Sequence, residues 1–254
     1  QLLQLDNAMS RFLLSLRLAK TAPYTRCKLS KCWADALRAL KEGINMIEYY
    51  KKRANEYERI YCKPERKIYI EEFKSYLSNY FMNRNVLELA CGTGFWTECI
   101  SLTAKSIKAT DINDSVLEIA KTKNYRSDCK IDFTIMDFKN KEEYKKSDAI
   151  FIGFLVSHLS IEEFDQLLNN LLKNSTNQKI LLMDNIYLEG ESTKISKTDL
   201  LGNTYQIRSL EDGSSHEIMK NFYTKEDLQK LVQKYKNNFK IKQNKYYWSL
   251  EIST

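Results

Sequence analysis

The stretch Val86-Leu87-Glu88-Leu89-Ala90-Cys91-Gly92-Thr93-Gly94-Phe95-Trp96-Thr97 constrains the fold of this chain more than any other. A short apolar run meets two glycines spaced one residue apart, and helix-compatible sequence follows. It therefore reads as a strand, a tight turn and the start of a helix. Gly92 and Gly94 let the backbone turn sharply and approach a ligand closely, and the amide N–H groups of the next helix face an anionic group. The pattern then alternates: strand 85–90, helix 95–103, strand 106–111, helix 115–123, strand 130–136, strand 148–154, helix 161–173 and strand 178–184. Strand–helix alternation of this kind builds a doubly wound parallel sheet.

Flanking this alternation, a helix is expected from Met46 to Lys63, stopped by Pro64, and another over Ile68–Tyr80. Beyond Asp184, runs 205–210 and 216–222 flank Asp212-Gly213, a turn signal for an inserted hairpin. Thr224, with Glu226 and Asp227 in the first turn, marks a further helix start. Two final strands, 239–243 and 246–252, are expected to pair antiparallel at the sheet edge. The fold class is thus α/β: a doubly wound, mostly parallel, seven-stranded Rossmann-like sheet with an antiparallel C-terminal strand, an N-terminal helical cap and an inserted hairpin lid. Residues 1–45 read as an N-terminal extension and 46–254 as one domain, with the insertion at about 186–222.

Charge separates the extension from the domain. Residues 1–45 hold eight Lys/Arg against three acids, so of the formal +7 only +2 falls on the other 209 residues. A nearly neutral body disfavours a nucleic-acid substrate, whose binding would rest on phosphate neutralisation. The extension admits three readings: a helical cap or homodimer element, a basic targeting segment, or sequence upstream of a natural start at Met46. The longest apolar run near the middle, Ala149–Val156, is far short of the ~20 residues that span a bilayer, so no membrane partner is expected. Six scattered cysteines with no C-x-x-C, far from the two histidines, suggest reduced thiols in a cytoplasmic protein and no metal site.

In an open parallel sheet the ligand lies beyond the carboxyl ends of the strands, so the residues there carry the functional signal. The first end holds the glycine turn, with Glu88 placed to orient a ligand's ammonium or the loop itself. Asp111 ends the second strand, at a spacing from Gly94 that suits a carboxylate accepting ribose hydroxyls, and Ile112 would lie against adenine. Asp137 ends the third strand, where it can accept the adenine amino group while Phe138 covers the ring. A dinucleotide site shares the turn and the acidic second strand, but Thr97 stands where its third glycine would be. Together with Asp137, that substitution favours S-adenosylmethionine.

Glu88-Leu-Ala-Cys-Gly-Thr-Gly94, Thr110-Asp-Ile-Asn113 and Met136-Asp-Phe138 resemble the successive motifs of class I S-adenosylmethionine-dependent methyltransferases, over about residues 46–254. The resemblance implies that the glycine turn, with Glu88, Ala90, Gly92 and Gly94, holds the methionine portion of the cofactor, that Asp111 holds the ribose and that Asp137 holds adenine. Phe154, ending the fourth strand, joins this cofactor set. The helix at 49–58 is similar to the family's N-terminal helix, implying that Tyr49, Arg53 and Tyr57 close over the cofactor; an ordinary amphipathic helix with a half-buried tyrosine face is the alternative. Ser157-His158-Leu159-Ser160 and Asp184-Asn185-Ile186-Tyr187 resemble a bacterial small-molecule branch, as do Gly202–Gln206 and Asp212–Phe222. The Asn/Asp-Pro-Pro-Tyr sequence of nucleobase amino-methylation is absent, with Phe154-Leu155-Val156-Ser157 in its place.

The expected function is methyl transfer from S-adenosylmethionine to a small-molecule acceptor by direct displacement, in which positioning supplies much of the acceleration. His158 is the candidate base; a histidine that anchors the next helix or the cofactor is the bland alternative. Asp184 and Asn185 are candidates for the acceptor pocket, and His216 for a lid or surface residue. The aromatic run Tyr246-Tyr247-Trp248 reads as core. Three other functions remain open: an RNA or protein methyltransferase, a non-catalytic S-adenosylmethionine-binding protein, and a NAD(P)-dependent reductase.

Overall fold

A computed structural model describes residues 48–54, 56–236 and 238–254, with the side chain of Tyr57 left out; all of them belong to the unit Met46–Thr254. The helices expected in residues 1–45 lie outside the described residues. Seven strands form one sheet: β1 (Asn85–Leu89), β2 (Ser106–Asp111), β3 (Lys130–Ile135), β4 (Ala149–Gly153), β5 (Lys179–Asn185), β9 (Phe239–Gln243) and β10 (Tyr247–Ser253). Their order is β3-β2-β1-β4-β5-β10-β9. β10 runs antiparallel to both β5 and β9, so it is the single reversed strand of an otherwise parallel sheet. The expected C-terminal pair therefore meets the edge through β9 alone, with β10 inserted between it and β5.

Both faces of the sheet are covered, which is why its central strands carry little polar sequence. Successive side chains alternate between two cores. Val86, Ala149 and Phe151 point into one, with α1 (Lys67–Tyr80) and α2 (Phe95–Ser101); Leu87, Leu89, Ile150 and Ile152 point into the other, with α4 (Ile161–Asn174) and α5 (Lys225–Gln233). A fifth helix, α3 (Asp114–Lys121), follows β2. Helix starts follow local chemistry. Ser160 and Glu163 form a capping box on α4, and Thr224 and Asp227 form one on α5. Tyr246, Tyr247 and Trp248, at the start of β10, are buried, as expected of core aromatics. No helix among the described residues is long and apolar enough to cross a membrane.

The region before α1 departs from expectation. In place of one helix from Met46 to Lys63, residues 48–53 are helical, and separate 3-10 turns cover Tyr57–Tyr61 and Pro64–Arg66. The break follows from two anchors that belong to different cores. Tyr49 packs with Leu210 and Ile218, whereas Tyr61 stacks on Phe95 at 4.1 Å between ring centres and meets Trp96 edge-on. Helical periodicity alone carries no information about which core each turn serves.

The insertion is more than a hairpin. β7 (Thr204–Ser209) and β8 (Ser215–Met219) pair around the expected Asp212-Gly213 turn, where Gly213 has φ +80°, and the short β6 (Lys197–Thr198) adds a third antiparallel strand. Two buried asparagines tie this small sheet to the segment after β4. Asn203 accepts from the Ile161 N–H, and Asn221 donates to the Leu159 carbonyl and through its backbone to that of Ser157.

Candidate active site

Strand order reverses between β1 and β4, and the carboxyl ends of strands at such a switch point are where open α/β sheets bind ligands. Backbone strain collects there. Ala90 after β1 and Phe154 after β4 hold positive φ values of 55° and 58°, a conformation that costs a residue with a Cβ about 1–2 kcal/mol. Gly92 (φ +56°) and Gly94 (φ +80°) complete the turn, and their surroundings differ. A Cβ on Gly94 would meet the Tyr125 hydroxyl at 2.5 Å and the Ala120 Cβ at 3.0 Å, whereas one on Gly92 would meet nothing within 4 Å. Gly94 is thus fixed by packing, and Gly92 faces space that a ligand can enter.

Two buried acids frame the turn. Asp111 accepts from the Gly92 N–H at 2.9 Å through one oxygen and from the Asn113 N–H at 2.9 Å through the other. Burial pushes its carboxyl up against the pull of those N–H groups. Glu88 is fully buried and accepts from the Thr97 hydroxyl at 2.7 Å. Desolvation, with Asp111 adding to it, raises Glu88 to about 8. The residue that breaks the dinucleotide pattern, Thr97, therefore has a structural task, satisfying the acid behind the turn. Buried acids with N–H or hydroxyl partners, an open glycine and a strained strand end fit a cationic, ribose-bearing cofactor.

The remaining expected residues divide. Ile112 and Asp137 are exposed at the ends of β2 and β3, Asp137 accepting from the Lys139 N–H at 2.9 Å, and Phe138 is half-buried. Tyr49 is buried against the small sheet, with burial raising its phenol, and accepts from Arg53 at 3.0 Å. Arg53 lines a second space with Phe154 and His158, so the structure brings those three together and places Tyr49 behind them. For Tyr57 only the backbone is described. Glu58, which no sequence signal marks, reaches the turn itself, accepting from the Thr93 hydroxyl at 2.6 Å and pairing with Lys123 at 2.6 Å.

That second space is a cavity of about 300 Å³ between the segments after β4 and β5, the 3-10 turns and the small sheet. His158 stands in its wall. Its Nδ1 lies 2.9 Å from the Met219 carbonyl, which only accepts, so Nδ1 carries the proton. Burial and the nearby Lys220 ammonium push the imidazole well below its usual range, leaving it neutral with its lone pair on Nε2. Nε2 accepts from the Tyr50 hydroxyl at 2.6 Å and has Lys220 Nζ at 3.3 Å. Lys220 in turn donates to Ser157 Oγ at 2.5 Å and pairs with Asp184 at 3.7 Å. Desolvation lowers Lys220 to about 8, with Asp184 opposing and Arg208 and Arg53 adding to the shift. Asp184, fully buried, accepts from the Ser157 N–H and hydroxyl, both at 2.8 Å. It is thus a support beneath the cavity wall, while Asn185 lines the cavity itself.

His216 does not reach this cavity wall; its ring lies 5.5 Å from that of Tyr49 and it meets the Ser214 hydroxyl at 3.0 Å. Sequence reasoning passed over Tyr50, Arg208 and Lys220. Each sits in a segment whose pattern had already been explained as helix face or hairpin, and only the tertiary arrangement sets them beside His158.

Residues 86–175 match the family model of a methyltransferase domain, while a search of curated proteins found no match. Among solved structures, DhpI in its SAM–HEP complex shares the fold with a TM-score of 0.66 at 18% identity, over 83% of this chain and 97% of that one. An S-adenosylmethionine-dependent methyltransferase from Clostridium acetobutylicum ATCC 824 gives 0.55 at 16% identity, over 79% and 99%. The glycopeptide N-methyltransferase MtfA, complexed with S-adenosylhomocysteine, gives 0.51 at 15% identity, over 70% and 86%. Residues 86–175 are a methyltransferase domain, set within the class I S-adenosylmethionine-dependent methyltransferase fold. The family match over residues 86–175 and the architecture around them thus agree on a methyltransferase domain in a fold shared with S-adenosylmethionine-dependent methyltransferases.

Proposed function

We propose that this methyltransferase acts on a small-molecule acceptor, held in the cavity of about 300 Å³ bounded by Phe154, His158, Tyr50 and Lys220. That cavity is the observation that carries the reading. It is at the small end of the range for ligand sites, and the small sheet closes one side of it. Phe154 links it to the glycine turn, since its ring stacks at 5.8 Å on Trp96, two residues past Gly94. The complexes of DhpI with SAM and HEP, and the naming of MtfA as a glycopeptide N-methyltransferase, are consistent with such acceptors.

The cofactor supplies a methyl group on a sulfonium. In this reading Glu88, Ala90, Gly92 and Gly94 hold its methionine end. Asp111 accepts from the ribose with Ile112 against adenine, Asp137 takes the adenine amino group under Phe138, and Phe154 walls off the acceptor side. We assign Tyr49 to steadying Arg53 through their hydrogen bond, and keep Tyr57 as a residue implied by the resemblance alone. His158 is the terminal base: an acceptor proton passes to the Tyr50 oxygen as the Tyr50 proton moves to His158 Nε2.

Calorimetry with S-adenosylmethionine, S-adenosylhomocysteine and NAD on wild type and Asp111→Ala tests the cofactor site. We expect both sulfur nucleosides to bind and Asp111→Ala to weaken them about 10- to 100-fold, the range for hydrogen bonds to a charged group. Binding of NAD alone would refute the reading. Labelled methyl donor offered to acceptor pools then distinguishes a small molecule from RNA or protein, and transfer to a macromolecule only would overturn the acceptor class.

A further inference from the structure

Among the described residues, the cavity proposed above to hold the acceptor is lined by five cations, Arg53, Lys63, Arg66, Arg208 and Lys220, and by one carboxylate, Glu191. That carboxylate is already engaged by Lys245 at 2.7 Å. The other acid at hand, Asp184, lies beneath Lys220 and accepts four hydrogen bonds from Ser157 and Asn185. Arg208 is aimed by neutral groups: it donates to Thr193 Oγ1 at 2.8 Å and to Gln206 Oε1 at 2.6 Å, and its Nε is buried without a partner. Arg66 lies over the Tyr246 ring at 5.0 Å, and its Nε too is buried without a partner. Among the described residues neither arginine forms an ion pair with a carboxylate.

Like charges gathered in a partly desolvated cavity oppose one another unless an anion enters. Guanidinium forks suit the paired oxygens of carboxylates and phosphoryl groups. Between the cations the wall is largely uncharged, mixing apolar Ile60, Phe154 and Phe222 with neutral polar Asn185, Ser192 and Thr193, which suits a short uncharged body attached to a charged head. Arg208 lies on β7 of the inserted small sheet and Lys220 directly follows β8, so neither comes from the ends of β1–β3 that carry the cofactor motifs.

From this arrangement we infer that the methyl acceptor is a small anion, whose carboxylate or phosphoryl head is bound by Arg208, Lys220 and Arg66. The inference rests on the acceptor reading of this cavity, and the alternative occupant of the cations is the carboxylate of the cofactor itself. Calorimetry on protein saturated with S-adenosylhomocysteine separates the two, titrating acetate and succinate in one arm, inorganic phosphate and methylphosphonate in a second, and uncharged ethylene glycol as the control. We expect one anion arm to bind and the control not to, with Arg208→Gln weakening that anion about 10- to 100-fold. Arg208→Lys should retain part of the binding, and S-adenosylhomocysteine affinity should stay within about 3-fold of wild type throughout, well under the loss expected for a broken charged hydrogen bond. Arg66→Gln repeats the test if Arg208→Gln does not fold. The inference is overturned if S-adenosylhomocysteine binds but no anion does, if the anion binds equally to the variants, or if the substitutions chiefly weaken S-adenosylhomocysteine. Failure of S-adenosylhomocysteine to bind wild type would instead remove the cofactor reading beneath it.

Discussion

Replacing Asp184 by asparagine changes one oxygen to an NH2 group at a position fully removed from solvent. The carboxylate accepts from the Ser157 N–H on one oxygen, and from the Ser157 hydroxyl, the Asn185 N–H and the Asn185 side chain on the other, at 2.7–3.0 Å. An asparagine has only one accepting oxygen, so in either orientation at least one buried donor faces another donor, at a cost of about 1–3 kcal/mol. Lys220 also loses its counter-ion at 3.7 Å while remaining buried, and breaking a buried pair from one side costs about 3–5 kcal/mol. The two costs overlap, because Lys220 can shed its proton rather than stay charged. We therefore expect Asp184→Asn to lose about 3–5 kcal/mol in urea denaturation at pH 7, a fall in Tm on the order of 10 °C. Burial lowers Lys220 from 10.5 to about 8, so it is mostly charged at pH 7, and the loss should shrink as pH rises through about 8. Adding Lys220→Met should return at least about 1 kcal/mol, since it removes the stranded charge. A single variant within about 1 kcal/mol of wild type, or a double variant whose losses simply add, would refute the coupling of the acid and the lysine.

Gly94→Ala should cost about 2–4 kcal/mol in the same assay, combining a left-handed backbone with a Cβ 2.5 Å from the Tyr125 hydroxyl and 3.0 Å from the Ala120 Cβ; on a Tyr125→Phe background the part owed to the hydroxyl should return, while the Ala120 contact and the backbone part of about 1–2 kcal/mol remain. Glu88, raised from 4.5 to about 8, binds its proton more tightly in the fold than outside it, so its contribution to stability is fully present below pH 4.5 and is lost as pH rises to about 8. Glu88→Gln should flatten that segment of the stability–pH curve, and an unchanged slope between pH 4.5 and 8 counts against the buried acid. For His158→Gln we expect kcat to fall about 100-fold or more with S-adenosylhomocysteine affinity retained, and a loss under 10-fold would mark the histidine as a mere anchor.

Much of the sheet was legible because its determinants are local. β2 spans the expected residues 106–111, α4 begins at the expected Ile161, and α5 follows the helix start marked by Thr224. The glycine turn was legible for the same reason, since its backbone chemistry admits few other residues. What escaped was decided by distant partners. Nothing within residues 46–63 tells that Tyr49 faces Leu210 and Ile218 while Tyr61 faces Phe95, and that division breaks the helix. The short β6 has only two residues and forms because β7 offers it an edge.

The cationic cavity shows the same limit at the level of charge. The 209 residues beyond the extension are nearly neutral, with a net +2, and this disfavoured a phosphate-rich polymer as substrate. Net charge is an average over the surface, whereas recognition of a small ligand depends on the few groups that share one concave wall. Arg53, Arg66, Arg208 and Lys220 come from the first helical segment, a 3-10 turn, β7 and the end of β8, each an unremarked position in its own segment. The fold gathers them, and the acids that balance the total lie elsewhere, as with Glu143 on Lys108 and Glu217 on Lys197. A neutral body is therefore compatible with a strongly cationic pocket, and what it disfavours is an extended polyanion rather than a small anion. The inserted small sheet is what makes the difference, since it contributes Arg208 and Lys220 to a cavity that the parallel sheet alone would leave open and less charged.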